Sequence, residues 1–301
     1  MRYVLAKRHF PTLLHFASSN VVLAFDYDGT LAPMTNEPNR ARLRRRTRHL
    51  LTAVAQRYPC VVISGRRHDD VTRCLQGIPV RNVFGNHGLE PWGRNIAYPK
   101  RVREWLDHLE RCLPSHSGLF VEDKTYSVTI HYRRVREKRL VVQAINEVIA
   151  RLPESRVIGG KQAINLVPRD APHKGMALEQ ARRLLACDSA IYVGDDETDE
   201  NAFEAAASSR LLSIRIGATR MSSARYYLKT QREIDSLLRM LVRLRPTRRH
   251  NGHATDDTMR ARGSTRTLQV AGAVQPARLQ RTSRSPAPSR SICPRPVRLA
   301  K

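Results

Sequence analysis

The sequence lacks any long apolar run. No segment approaches the roughly 18 apolar residues that cross a bilayer, so no membrane partner is expected. The short apolar stretch near the start is interrupted by Pro11 and His15, with no small-residue cleavage site after it, which argues against a signal peptide. The five cysteines are scattered and lack metal-ligand spacing. That pattern favours unpaired thiols in a reducing cytoplasm, the location we expect.

Acidic residues are also few, numbering 27 against 53 Lys and Arg, and the formal net charge is +26. Such a charge can serve a nucleic-acid partner, but its distribution argues against one. A net +10 lies in 246–301, where Pro, Ser, Arg, Thr and Gly dominate and aromatic residues are absent. We expect this segment to be a disordered basic tail. A weak, salt-sensitive contact of the tail with nucleic acid is the remote alternative.

Hydrophobic residues make up 41% of the chain, and their pattern alternates between strands and helices. Apolar runs rich in β-branched residues at 21–25, 60–63 and 190–193 predict strands buried on both faces. Helical stripes follow the first and precede the last of them. This alternation predicts an α/β fold with a doubly wound parallel sheet. In such sheets, ligands bind at the carboxyl ends of the strands.

The middle of the chain has a different pattern. A helical stripe is followed by alternating apolar and polar residues over 125–132, then by a second helical stripe and a hairpin. We interpret this as an α+β module inserted in the core. The predicted boundaries are 1–89 and 167–245 for the core, 90–166 for the inserted module and 246–301 for the tail. Thr230 and Glu233 predict a capping box before a last helix.

The strongest chemical motif is Asp26-Tyr-Asp28-Gly-Thr, directly after a predicted strand. The two carboxylates at i and i+2 lie on one side of an extended chain, and Gly29 permits a sharp turn. One carboxylate can attack phosphorus while the other protonates the departing oxygen. A carboxylate that attacks a phosphate dianion needs a cation to offset the repulsion, and oxygen ligands suit Mg²⁺.

Three weaker motifs also follow predicted strands or open a helix. Ser64 and Gly65 can form a phosphate cradle. Lys174, at a predicted helix start, can hold a phosphate and the attacking carboxylate together. The acidic residues over 195–200 are concentrated in one turn of a very basic protein, which favours a bound cation. Taken singly, each is also compatible with an ordinary turn, a surface lysine or a solvated acidic loop.

In their order and context, these motifs resemble the four motifs of the haloacid dehalogenase (HAD) superfamily of phosphatases. The resemblance implies that Asp26 is the nucleophile and that Asp28 is the general acid and then the base. It also implies that Ser64 and Lys174 bind the transferring phosphoryl group. The implied ligands of Mg²⁺ are the Asp26 carboxylate, the Asp28 backbone carbonyl and Asp195, with Asp199 among them or just behind them.

Further segments resemble the trehalose-6-phosphate phosphatases, namely 26–33, 85–90, 121–124, 131–133 and 194–203. The match covers roughly 21–244. It implies that the inserted module is a cap that closes over a sugar phosphate. The implied substrate-binding residues are Asp26, Tyr27, Asp28, Gly65, Arg66, Asn86, His87, Gly88, Glu122 and Lys124, of which Asn86 to Gly88 lie at the hinge side and Glu122 and Lys124 contact the sugar.

The sequence departs from the family pattern at three positions. Thr125 stands where Gly is usual, Asn165 where a Glu is expected, and His173 where Asn is common. Asn165 bears most on sugar preference, so phosphatases of the sucrose or mannosylglycerate type are the alternative. Glu122 and Lys124 favour trehalose 6-phosphate. The resemblance also implies functional pairing with a trehalose-phosphate synthase.

Overall fold

The computed structural model describes five stretches of the chain, 1–35, 41–91, 97–113, 116–160 and 162–245. The predicted basic tail, 246–301, lies outside the described residues, so its disorder stays a prediction. Within the described residues, no helix is long and apolar enough to span a membrane.

The described chain alternates strands and helices as predicted. The strands are β1 (Arg2–Tyr3), β2 (Val21–Phe25), β3 (Cys60–Ile63), β4 (Asn82–Phe84), β5 (Phe120–Asp123), β6 (Val128–His131), β7 (Ser155–Gly160), β8 (Ala163–Pro168), β9 (Ser189–Gly194), β10 (Leu211–Ile216) and β11 (Tyr226–Leu228). The α-helices are α1 (Phe10–Ser18), α2 (Arg45–Ala55), α3 (His68–Cys74), α4 (Ala97–Cys112), α5 (Lys138–Ile149), α6 (Lys174–Leu184), α7 (Glu200–Phe203) and α8 (Ile234–Leu244).

Seven of the described strands form one parallel sheet, in the order β1-β11-β10-β9-β2-β3-β4. Every residue of β2, β3 and β9 is buried, because apolar clusters cover both faces of the sheet. Leu23 and Phe25 pack with α1, α2 and α8, whereas Val22 and Ala24 pack with α6 and α7. The predicted doubly wound α/β core is therefore confirmed.

The inserted module has its own antiparallel sheet, in the order β5-β6-β8-β7. One face packs on α4 and α5 through a cluster that includes Trp105, Leu109 and Ile145. The other face of this sheet carries the polar residues of the alternating strand. It is nevertheless buried, since Ser127 and Thr129 are both 2% exposed. This face turns toward the carboxyl ends of the core strands, which confirms a HAD-like core with a cap.

The strand predicted over 125–132 is shorter, because a turn joins β5 to β6. The Asp123 carboxylate accepts a hydrogen bond from the backbone N–H of Thr125 at 2.6 Å, and Thr125 has a left-handed φ of 70°. Glycine adopts that conformation at little cost. Thr125 therefore departs from the family pattern at a position where the backbone itself favours glycine.

One local prediction needs correction. The side chain of Thr230 makes no capping hydrogen bond. Glu233 accepts from the backbone N–H of Lys229 at 2.7 Å, and not from that of Thr230 as a capping box requires. A 3₁₀ turn, Gln231–Glu233, then precedes α8. Among the described cysteines, Cys60, Cys74 and Cys187 are buried free thiols.

Candidate active site

A cleft of about 200 Å³ lies between the carboxyl edge of the core sheet and the polar face of the cap sheet. Parallel strands bring their ends to one edge, so motifs far apart in sequence meet there. The core lines the cleft with Asp26, Asp28, Gly65, Arg66, His87 and Lys174. The cap lines it with Glu122, Lys124, Thr129, His131, Arg133 and Asn165.

At the floor of the cleft, Asp26 is paired with Lys174. The lysine is the first residue of α6, and its Nζ donates to Asp26 Oδ1 at 2.8 Å and to Asp199 Oδ1 at 2.7 Å. All three side chains are buried. Burial acts to lower the pKa of Lys174, but the two carboxylates outweigh it and the pKa is raised. The lysine is therefore a permanent ammonium.

The carboxylates outnumber this ammonium. Asp26, Asp195 and Asp199 are all buried and can place one oxygen each within 4.8 Å of one another. Burial raises the pKa of Asp26 well above its ordinary value, Lys174 opposes this rise, and the other two carboxylates reinforce it. Three carboxylates against one ammonium leave an excess of negative charge, so the donor set fits a further small, hard cation.

Gly29 lets the turn after β2 approach the acidic turn at 195–200 closely. It has a φ of 84°, and a Cβ at this position would lie 2.2 Å from Asp195 Oδ2. Thr30 Oγ1 donates to Asp195 Oδ1 across 3.4 Å. The glycine is thus required both for its left-handed conformation and for the space beside Asp195.

Asp28 is held by Arg66 in a bidentate pair. Arg66 Nε donates to Asp28 Oδ2 at 2.5 Å, and Nη2 donates to Oδ1 at 2.6 Å. The guanidinium lies 5.2 Å from the centroid of the Tyr27 ring. Tyr27 itself is fully buried and donates to the Ala41 carbonyl at 3.3 Å. Any part of Tyr27 in substrate binding would therefore be indirect, through Arg66.

The turn after β3 brings the cap against the core. Ser64 is buried, and its Oγ accepts from the backbone N–H of Arg66 at 3.2 Å. Lys124 of the cap donates to the Gly65 carbonyl at 3.1 Å. A Cβ on Gly65 would lie 2.6 Å from Cε1 of His87, so the histidine ring packs directly on this turn.

The segment 86–88 joins the core to the cap. Asn86 Nδ2 donates to Glu90 Oε2 at 2.8 Å and to the Lys124 carbonyl at 3.2 Å, and its Oδ1 accepts from Ser127 Oγ at 2.8 Å. Asn86, His87 and Gly88 all have positive φ. Burial lowers the pKa of His87 well below its ordinary value, and the charges of Lys174 and Lys124 lower it further. The imidazole is therefore neutral.

The polar face of the cap presents a connected set of side chains. His131 and Glu122 share a hydrogen bond of 2.8 Å between Nε2 and Oε2, and Lys124 Nζ lies 4.0 Å from Glu122. Burial raises the pKa of Glu122, but His131 and Lys124 outweigh it and the pKa is lowered. Thr129 Oγ1 donates to Asn165 Oδ1 at 2.8 Å.

Sequence reasoning missed Thr129, His131 and Arg133 as cleft residues. Thr129 and His131 belong to the polar side of the alternating strand. The alternation predicts a polar face, but it does not predict that this face lines a cleft. Arg133 belongs to the segment 131–133 that carried part of the resemblance, yet it received no role. It donates to the Thr35 carbonyl at 2.9 Å and so ties the cap to the core.

Comparison with known proteins agrees with this geometry. The family model described as trehalose-phosphatase matches residues 24–232. The probable trehalose-phosphate phosphatase D of Arabidopsis thaliana is 28% identical over 250 residues, which cover 74% of this chain and 67% of that protein. The trehalose 6-phosphate phosphatase RA3 of Zea mays is 27% identical over 267 residues, which cover 77% and 72%.

Solved structures show the same fold. The C-terminal domain of the trehalose-6-phosphate phosphatase of C. albicans has a TM-score of 0.63 at 20% identity, and the match covers 78% of this chain and 97% of that one. A trehalose-6-phosphate phosphatase related protein has a TM-score of 0.60 at 24% identity, covering 74% and 97%.

Lys174→Met tests the charge balance at the floor of the cleft. The change leaves Asp26 and Asp199 buried without their ammonium, and removing one partner of a buried pair costs about 3–5 kcal/mol. Without the lysine, the pKa of Asp26 rises further. A carboxyl whose pKa is raised on folding favours the folded state below its unfolded pKa and loses that contribution as the pH rises. The stability deficit should therefore be larger at about pH 8 than at about pH 5.

Urea unfolding of wild type and variant at both pH values measures this deficit. Lys100→Met is the matched control, because Lys100 is exposed on α4, and it should change stability by less than about 0.5 kcal/mol at either pH. A Lys174→Met deficit that is as small as that of the control, or that shrinks as the pH rises, would show that the lysine does not balance the buried carboxylates.

Proposed function

Because the chain belongs to the trehalose-phosphatase family, we propose that it is a phosphatase that hydrolyses trehalose 6-phosphate to trehalose and phosphate. The observation that carries this proposal is the pairing of Asp26 with Lys174 at the floor of a cleft whose roof carries Glu122 and Lys124. The floor has the groups for phosphoryl transfer, and the roof has charged groups that suit sugar hydroxyls.

In this proposal Asp26 attacks phosphorus and forms an aspartyl-phosphate. One of its oxygens is fixed by Lys174, so the carboxylate keeps one orientation toward the cleft, and a fixed orientation lowers the entropic part of the barrier. The same ammonium offsets part of the repulsion between the carboxylate and the phosphate dianion. Ser64, at the neighbouring turn, would bind the phosphoryl group.

Asp28 would protonate the sugar oxygen as it departs and then take a proton from the hydrolytic water. Its carboxylate is paired with Arg66 in the structure. A phosphate dianion also binds a guanidinium in bidentate fashion, so substrate can compete for Arg66 and release Asp28. The exchange would make the general acid available only when phosphate is bound.

The proposed cofactor is Mg²⁺, held by the Asp26 carboxylate, the Asp28 backbone carbonyl and Asp195, with Asp199 beside them. When bound, the ion supplies positive charge that lowers the cost of bringing a carboxylate against a phosphate. The excess of negative charge among Asp26, Asp195 and Asp199 supports this assignment.

The cap would select the sugar. Glu122 is oriented by His131, and Lys124 lies close to both Glu122 and the Gly65 carbonyl, so both groups are fixed before substrate arrives. Asn165 supports the alternative, which is a different sugar phosphate. It places an amide where the family pattern has a carboxylate, and this amide accepts a hydrogen bond from Thr129. A panel of sugar phosphates separates the two substrates.

We also propose cap limits close to 90–166, since β8 of the cap sheet ends at Pro168 and α6 of the core begins at Lys174. A cytoplasmic location and functional pairing with a trehalose-phosphate synthase belong to the same proposal. The pairing follows from the proposed reaction, because a synthase must supply its substrate.

Asp26→Asn should abolish turnover and keep the fold. The amide is nearly isosteric with the carboxylate but is no nucleophile, so the covalent route closes. Phosphate release from trehalose 6-phosphate and circular dichroism are the two measurements. Asp107→Asn, an exposed position on α4, is the control and should retain wild-type activity. Full activity in purified Asp26→Asn would rule out the proposed nucleophile.

Chelation by EDTA should remove activity, and added Mg²⁺ should restore it, because the buried carboxylates need a second cation. Asp195→Asn should weaken Mg²⁺ binding in calorimetry and should lower phosphate release in parallel. Normal Mg²⁺ affinity and normal turnover in Asp195→Asn would contradict the metal assignment.

Glu122→Ala should lower kcat/KM for trehalose 6-phosphate by at least about ten-fold, since losing one partner of a buried polar contact costs about 1–3 kcal/mol. The same variant should hydrolyse p-nitrophenyl phosphate at nearly the wild-type rate, because that substrate has no hydroxyls for the cap to bind. An equal fall for both substrates would mean that Glu122 supports the core or the fold and does not select the sugar.

A further inference from the structure

Asp199, one of the acids at the floor of the cleft, accepts hydrogen bonds from four donors. Its Oδ1 accepts from Lys174 Nζ at 2.7 Å and from the Tyr192 hydroxyl at 2.7 Å. Its Oδ2 accepts from the backbone N–H groups of Asp195 and Asp196, both at 2.9 Å. The four donors come from α6, β9 and the acidic turn.

Four donors use the full capacity of a carboxylate, which has about four lone-pair positions on its two oxygens. Asp199 is 0% exposed, so water cannot replace a donor that is lost. The backbone of Gly194 packs closely against this side chain, because a Cβ on the glycine would lie 2.3 Å from Asp199 Cγ. A ligand of a metal needs a lone pair, and in this arrangement Asp199 has none to offer.

We propose that Tyr192 is a positioning residue of this active site. Its hydroxyl fills the last acceptor position of Asp199. Asp199 is consequently an anchor for Lys174 and for the acidic turn, and it is not a ligand of the metal. The inference rests on the phosphatase activity proposed above and deepens it, since it assigns the metal to Asp26 and Asp195 and gives the third acid a different task.

Through Lys174, the loss of the Tyr192 hydroxyl would also affect Asp26. The ammonium divides its hydrogen bonds between Asp26 at 2.8 Å and Asp199 at 2.7 Å. Without the Tyr192 hydroxyl, Asp199 Oδ1 would have one acceptor position left over in a dry site, and it would either draw Lys174 away from Asp26 or turn toward the cation. Both changes disturb the nucleophile without any contact between Tyr192 and substrate.

Tyr192→Phe removes this hydroxyl and little else. The ring packs edge-on against Phe203, with centroids 5.7 Å apart, and it would stay in place. Tyr58→Phe is the matched control. Tyr58 is also buried in the core and also donates one hydrogen bond, to the Leu241 carbonyl at 3.0 Å, but it lies outside the active site. Both variants should show a similar, modest fall in Tm.

The decisive measurements are Mg²⁺ affinity by calorimetry with the ion alone, and kcat with p-nitrophenyl phosphate. Loss of a group that supports metal ligands costs about 10–100-fold in affinity or activity, so Tyr192→Phe should lose at least about ten-fold in one of the two. Tyr58→Phe should match wild type in both. Asp195→Asn marks the loss expected for a direct ligand.

Equal Mg²⁺ affinity and equal kcat in Tyr192→Phe and Tyr58→Phe would overturn the positioning role. The metal titration needs no substrate and p-nitrophenyl phosphate needs no cap contact, so this outcome is separate from a failure of trehalose 6-phosphate as substrate. A wild-type protein that hydrolyses no phosphate ester in Mg²⁺ would instead refute the proposed function.

Discussion

The buried ammonium of Lys174, between Asp26 and Asp199, is the interaction on which the site depends. It lies where α6 begins, at the point where β2 and β9 both end. A lone charge in such a place would be strongly destabilising, and a carboxylate pair without it equally so. The core can therefore bury Asp26 and Asp199 only because the chain supplies this lysine from a third element.

The charges at the floor of the cleft are not fully balanced. Three buried carboxylates meet one ammonium, and the remaining negative charge creates the need for a cation that phosphoryl transfer also needs. The acids are not equivalent, because Asp199 is saturated with donors from Tyr192, Lys174 and the turn itself. In the proposed mechanism, Asp199 anchors the lysine, and Asp26 and Asp195 remain for phosphoryl transfer and for the metal.

Much of the core could be predicted from sequence. Buried apolar runs identified β2, β3 and β9, and parallel strands must end at one edge, so Asp26, Ser64 and Asp195 had to converge there. The cap helices and the β7–β8 hairpin followed from periodicity in the same way. These features depend on local pattern and on one rule of topology, which is why a single sequence suffices for them.

The remaining features depend on partners that are distant in sequence. Two examples are the ion pair of Arg66 with Asp28 and the hydrogen bond from Tyr192 to Asp199. Both depend on where the fold places these residues, so the residue types alone do not predict them. The polar side of β6 was visible as an alternation, but the pattern does not say whether such a face meets water or another sheet. Thr129 and His131 were therefore missed, although the alternation contained them.

The central claim is that Asp26 takes the phosphoryl group while Lys174 holds the Asp26 carboxylate in place. Its most direct test is mass spectrometry of enzyme quenched in acid during turnover of trehalose 6-phosphate with Mg²⁺. The account predicts one phosphoryl group, carried by the peptide that contains Asp26 and located on that residue. A phosphoryl group on any other residue would contradict it.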